Sequence, residues 1–254
     1  MKIKSESVGK QSLSLILMAG HAGIFRIIDG GKKIAKKTNQ KEYEIYSNPG
    51  GLREIIPVTE RTSRDNQEVS DMGENVIVME KMFYGIQEES LLAFDIKIGK
   101  STTSAFQLVE SKEECYIGAF FRELKMKLYD RYTKSSTRGW RAIPTDDRNR
   151  AITGRNSETF LQEQLDRISV NKSDVLKRII AQINLIKDTL DKNQKTFIAS
   201  SIMIVFDLQH PENVRVKLID LAHPIDADNK LFQTYKGNID DGITSLITFL
   251  EQLR

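Results

Sequence analysis

The apolar residues of this chain change their period along its length, and that change constrains the fold more than any other feature. Through roughly the first hundred positions they alternate or run in short β-rich blocks, as at 13–18, 24–28, 76–80 and 92–98. A further strand is expected at 53–60. Asp29-Gly30-Gly31 makes 24–37 read as a hairpin. Asn39 is a candidate N-cap for a short helix over 39–46, which Asn48-Pro49-Gly50-Gly51 ends. In the middle of the chain the spacing becomes helical: Phe120, Phe121, Leu124, Leu128 and Tyr132 form one set. Helices follow at 157–169, with Ser157 as cap, and at 173–191, with Ser173 as cap. Segments 61–75 and 133–156 read as loop and irregular structure. Alternation returns at 199–206 and 214–220, joined by a turn at His210-Pro211. A last helix is expected over 240–253, with Asp240 near its cap. Sheet, helices, hairpin and helix in that order imply an α+β fold.

With 254 residues the chain suits one two-lobed domain or two small ones. Among its charged residues, 38 Lys+Arg stand against 35 Asp+Glu, a net charge of +3. The positive charge is not evenly spread: residues 100–155 hold 12 basic and 7 acidic side chains, and the remainder is slightly acidic. Such a segment either forms a solvated face or attracts a polyanion. No apolar run approaches the ~20 residues of a membrane span. The single Cys115 excludes an internal disulfide and a Cys-rich zinc site, and His21, His210 and His223 lie far apart. The opening MKIKSESVGK lacks a secretory signal's apolar core. The expected setting is therefore a reducing cytoplasm, with the nucleus or delivery into another cell as alternatives. A nucleic-acid partner is not expected, since no stacking motif is present in 100–155.

Three constellations could carry chemistry. Asp95-Ile96-Lys97-Ile98-Gly99 ends a strand, and alternation puts Asp95 and Lys97 on one face, either as a ligand site or as a surface ion pair. Val214, Val216, Leu218 and Asp220 share a face, so a strand delivers Asp220 at its end, to hold a cation or to cap a turn. Lys36 shares a face with Ile34, and Glu42 opens the next helix. A strand lysine held by a helix carboxylate places an ammonium on nucleotide phosphates in many kinases; the alternative is a solvated Lys-rich hairpin. Gly20-His21-Ala22-Gly23 matches no phosphate-loop pattern on its own.

Taken in order, these segments resemble the inositol polyphosphate kinase family. The resemblance rests on the AGHAG turn at 19–23, Lys36, the run Glu42-Tyr43-Glu44-Ile45-Tyr46 and the strand ending in Glu80. It continues through D-I-K-I-G at 95–99, Ser200-Ser201-Ile202-Met203, I-D-L-A-H at 219–223 and the G-x-x-D-D-G-I run from Gly237. Leu91 stands where the family has proline, Leu221 where it has phenylalanine, and Ile202-Met203 where it has two leucines. Val58-Thr59 follows Pro57 where the family has Pro-x-Tyr. No ionisable residue of the set is lost.

The resemblance implies a two-lobed kinase-like fold, with an N-lobe over 1–82, a C-lobe over 83–254 and an inositol phosphate-binding insertion over 100–170. ATP would lie between the lobes. Lys36 would contact its phosphates and Glu42 would orient that lysine. Glu80 and the backbone around Met82 would read adenine, Asp95 the ribose, and Asp220 would hold Mg2+. Lys97 would stand between the γ-phosphate and an inositol phosphate substrate, with His223 on the substrate side. Lys112 falls near a family phosphate-binding lysine; Arg122, Lys125 and Lys127 are added from charge alone. The expected protein is a monomeric ATP- and Mg2+-dependent inositol phosphate kinase. Alternatives are a kinase for another small molecule or a phosphoinositide lipid, marked by exposed apolar residues beside the basic face, and a non-catalytic polyphosphate-binding module.

Overall fold

The computed structural model describes residues 24–60, 68–87, 89–101, 115–143 and 150–254. The expected strand at 13–18, the turn at 19–23 with His21, and Lys112 lie outside the described residues.

Two antiparallel four-stranded sheets organise the described residues. The first contains β1 (Phe25–Ile28), β2 (Lys33–Lys37), β3 (Thr59–Glu60) and β4 (Val76–Glu80) in the order β1-β2-β4-β3. The second contains β5 (Leu91–Ile98), β6 (Trp140–Ile143), β8 (Ser201–Asp207) and β9 (Arg215–Ile219) in the order β6-β5-β8-β9. A small pair joins β7 (Lys195–Phe197) to β10 (Pro224–Asp226). Helix α1 (Gln40–Ser47) follows β2. Helices α2 (Tyr116–Tyr132), α3 (Ser135–Arg138), α4 (Arg150–Arg155), α5 (Ser157–Leu165) and α6 (Lys172–Lys192) lie between β5 and β7, and α7 (Phe232–Gln252) ends the chain.

Local chemistry explains the start of this arrangement. Asp29, Gly30 and Gly31 all take positive φ, which turns β1 back on β2 with Ile27 opposite Ile34. Asn39 caps α1 by accepting the Glu42 amide at 2.8 Å. In the second sheet Phe94, Ile96 and Ile98 of β5 turn inward with Ile202, Ile204 and Phe206 of β8. They pack under the apolar faces of α6 and α7, Ile179, Ile183, Ile243 and Leu246 among them. The same apolar cluster takes in Ile45, Tyr46, Leu52, Ile55, Ile56 and Ile77 from the side of the first sheet, so this core runs beneath both, while Ile28, Ala35, Val69, Met72, Val76 and Val78 form a separate smaller cluster on the first sheet.

Several expectations need correction. Only Thr59–Glu60 of 53–60 is strand; residues 50–56 coil tightly, and Leu52, Ile55 and Ile56 fill the core instead of alternating. The stretch 133–156 contains β6, a strand buried along its whole length and so without the alternation that would reveal it. Ser157 and Ser173 are not side-chain caps. The Ser157 hydroxyl accepts from the Ala142 amide at 2.9 Å and donates to the Gly154 carbonyl at 2.7 Å, tying α5 to β6. Helix α7 begins at Phe232, not near Asp240, because Phe232 packs on Ile198 and Ile225 and extends the helix through a polar stretch.

Candidate active site

Of the charged residues singled out in the sequence, Lys36, Glu42, Asp95, Lys97 and Asp220 meet between the two sheets. Lys36 of β2 donates to Glu42 Oε1 at 2.8 Å and to Asp220 Oδ1 at 3.2 Å. Lys97 of β5 donates to Asp220 Oδ2 at 2.6 Å and to the Ala199 carbonyl at 2.8 Å. Each lysine thus holds one oxygen of the same carboxylate across some 120 to 180 residues of chain.

Glu42 is buried and fully engaged. Beyond Lys36 it accepts from the Thr38 hydroxyl and, across the lobes, from the Leu221 amide at 3.2 Å. Asn39 adds a second crossing, donating to the Ala222 carbonyl at 3.0 Å. The start of α1 is thereby fixed to the chain just after Asp220.

Asp220 departs from the strand geometry expected of it. Strand β9 stops at Ile219, and Asp220 takes a left-handed backbone, φ +61°. Simple alternation would have put Asp220 with Leu218, which is wholly buried in the core. The left-handed residue instead lets Ile219 and Asp220 line the same cleft. Asn and Asp are the non-glycine residues best able to adopt this conformation.

Burial opposes the charge on Asp220, but the ammonium groups of Lys97 and Lys36 overcome it and hold the carboxyl well below the usual carboxylate range. Burial also works against the Lys36 ammonium. The Asp220 and Glu42 carboxylates outweigh it and raise its pKa. Burial, with Glu42 and Asp220 nearby, pushes the Tyr46 phenol well above its ordinary value, so it stays neutral.

The cleft has two sections that share Phe25, Lys36, Asp95 and Asp220. The apolar section is walled by Ile34, Met79, Met82, Met203 and Val205. The polar section, ≈ 460 Å³, adds Thr38, Asn39, Lys97, Arg122 and His223. Asp95 is buried with its face turned to both, as alternation along β5 requires. Glu80 also lines the apolar section beside Met82. The Glu80 amide donates to the Val58 carbonyl at 2.9 Å, and the Met82 carbonyl accepts from Arg215 at 2.6 Å. Lys125 and Lys127 are exposed on α2 outside the cleft lining, and Lys127 pairs with Glu123 on its own helix.

Thr38, Asn39 and Arg215 are site residues that the sequence reading did not single out as such. Asn39 showed itself only as a helix cap. Arg215 had no local signal, since only the position of β9 beside the β4–β5 connection brings it to Met82.

A sequence model of the inositol polyphosphate kinase family matches residues 76–251, more than two thirds of the chain. No curated protein matches it by sequence. Among solved structures, the inositol phosphate multikinase Ipk2 of S. cerevisiae, in complex with ADP and Mn2+, superposes with a TM-score of 0.64 at 16% identity. That match covers 87% of this chain and 99% of the yeast one. A second inositol phosphate multikinase gives a TM-score of 0.58 at 17% identity, covering 85% of this chain and 99% of the other. The fold is thus the two-lobed kinase-like one that the motifs implied. With the family pattern running from β4 into α7, the chain belongs to the inositol polyphosphate kinase family.

Proposed function

We propose that this kinase transfers the γ-phosphate of ATP, with Mg2+, to a hydroxyl of an inositol phosphate. The observation that carries the proposal is the meeting of Lys36, Lys97 and Asp220 where the two sections of the cleft join. In this reading adenine takes the apolar section beside Glu80 and the Met82 backbone, and Asp95, which lines both sections, takes the ribose hydroxyls. The ADP and Mn2+ of the yeast structure support a nucleotide and a divalent cation in this fold. Among the described residues no group of three or more His, Cys, Asp or Glu could hold a metal. A hard cation that takes one carboxylate and completes its shell from phosphate oxygens and water suits Asp220, which keeps a quarter of its side chain open to the cleft. Bound there, Mg2+ would neutralise charge on the phosphates.

The chain's own residues then position and stabilise. Lys36, held by Glu42, meets the nucleotide phosphates. Lys97, anchored at the Ala199 carbonyl, faces the phosphoryl group in flight. The acceptor oxygen bonds to the γ-phosphorus as the bond to the bridging oxygen breaks, ADP leaves, and the hydroxyl proton passes to solvent. A loose transition state needs no dedicated base. Arg122 and His223, at the polar end, are the best supported substrate contacts. Lys112 and the exposed Lys125 and Lys127 stand on sequence position and charge alone. The division at residue 82, the insertion over 100–170, a monomeric state and a cytoplasmic setting belong to the same proposal.

Incubation with labelled ATP, Mg2+ and inositol phosphates of increasing phosphate number tests it. Transfer to at least one of them is expected. ATP binding without transfer to any would leave a polyphosphate-binding module. A phosphoinositide lipid is a second acceptor reading, favoured by the exposed apolar face of α2.

A further inference from the structure

Helix α2 carries the most continuous exposed apolar surface among the described residues. Ile117, Phe120, Phe121, Leu124, Leu128 and Tyr132 are each 47–68% exposed. At 100° per residue they fall within an arc of about 120° that runs the length of the helix, about 25 Å for its 17 residues. The opposite side is the packed one: Ala119, Asp130 and Thr133 are buried, and Asp130 is tied to Arg141 at 2.6 Å. The stripe is therefore not a core face left open by chance, because the helix already has its core contact elsewhere. Basic residues border the stripe, with Lys125 on one flank and Lys127 on the other; Arg131 falls within the arc near its C-terminal end, and Lys134 follows the last turn. Arg122 of the same helix lines the cleft.

We propose that α2 docks this protein on an anionic membrane surface, its apolar stripe inserted at the headgroup boundary and Lys125, Lys127 and Arg131 against lipid phosphates. Charge selects this occupant. A second copy of the chain would bring one basic flank against another, and residues 1–23, with Lys2, Lys4 and Lys10 against Glu6, would do the same. Shape selects it as well. A partner that wraps a helix from every side is excluded, because α2 offers one straight face and keeps the other in the fold. Docked this way, the helix lies on the membrane while Arg122 stays in the cleft, so the polar section opens near the lipid phosphates.

The test reads binding and is independent of turnover. The intact protein is sedimented with vesicles of phosphatidylcholine, alone or with phosphatidylserine, at low and high salt. Binding is expected only with phosphatidylserine, and weaker in high salt. The double variant Phe121→Ser with Leu128→Ser is expected to lower partitioning roughly tenfold or more. Its Tm and its transfer to soluble inositol phosphates should be unchanged, since both side chains lie outside core and cleft. Three results would each overturn the proposal. One is no binding to phosphatidylserine vesicles, as when the chain's own residues 102–114 cover the stripe. Another is binding that the double variant retains in full, as when the basic flanks act alone. The last is a dimer in lipid-free buffer that the double variant dissolves, which assigns the stripe to a second copy.

Discussion

Asp220 is the residue on which the cleft turns, and its surroundings make two measurable statements. It is one carboxylate between two ammonium groups, with Glu42 balancing the second lysine, so the cluster is neutral and mutually satisfied. Asp220→Asn keeps the shape and the left-handed backbone but removes the charge that orders both lysines. Turnover in Asp220→Asn and in Lys97→Ala is expected to fall roughly 10³-fold, with the circular dichroism spectrum unchanged; wild-type rates in either would remove these residues from the reaction. The second statement concerns pH. The folded-state pKa of Asp220 lies below its unfolded value of about 3.9. Its contribution to stability is therefore complete above that value and drains away as pH falls further. For Lys36, raised above the ordinary lysine value of about 10.4, the contribution is complete below that and is lost as pH rises through the folded value. The cluster is thus constant through neutrality, and the acid limb belongs to Asp220. As pH falls below about 4, Tm should fall less steeply in Asp220→Asn than in the wild type. Equal slopes would show that the carboxylate is not held as described.

At the scale of elements, three glycines explain why the strand that carries Lys97 ends where it does. The Gly99 amide, φ +100°, donates to the Gly139 carbonyl at 2.7 Å, and Gly242 of α7 lies against both. A Cβ on Gly242 would stand 2.2 Å from the Gly139 oxygen and 3.0 Å from the Gly99 nitrogen, all of it backbone. Gly242→Ala is expected to cost about 2 kcal/mol despite the better helix former, lowering Tm by roughly 4–8 °C. Gly237, in the same helix with no atom within 4 Å of a Cβ, should respond oppositely, gaining up to about 1 kcal/mol as alanine. Two changes of the same sign, read by thermal melting, would refute the three-way contact. This contact also separates what the sequence could tell from what it could not. Gly99 and Gly242 were visible as letters of two motifs and Gly139 was not, and their common reason is a meeting of segments up to more than a hundred residues apart. The hairpin at Asp29-Gly30-Gly31, the Asn39 cap and the α6 stripe were legible because each is decided within a few residues. Strand β6 was not, because Arg141 is buried in it by a pair with Asp130, a polar letter in a wholly buried strand. The α2 spacing announced a helix, while nothing local could say that its apolar side would face outward.

Across the whole molecule, the two lobes are joined by more than the β4–β5 connection. Leu218 of β9 donates to the Ile55 carbonyl at 2.7 Å, Lys217 to the Glu54 carbonyl at 2.7 Å and Arg215 to the Met82 carbonyl at 2.6 Å, beside the crossings from Asn39 and Glu42. The core cluster is likewise common to both sides. A first sheet whose helix and coil rest on the second sheet's core has little stability of its own, so the lobes should unfold together. Calorimetry is expected to show one transition with equal calorimetric and van't Hoff enthalpies. Because the cleft lies between parts that melt as a unit, a ligand that fills it stabilises the entire chain. ATP with Mg2+ at a hundredfold excess over its Kd should add about 2.7 kcal/mol, a rise of roughly 5–10 °C for a chain of this size. The rise should shrink in Lys36→Ala, which keeps the apolar section but loses the phosphate contact. Two separate transitions, only one of them moved by nucleotide, would mean that the sheets are independent domains and that the shared core does not couple them.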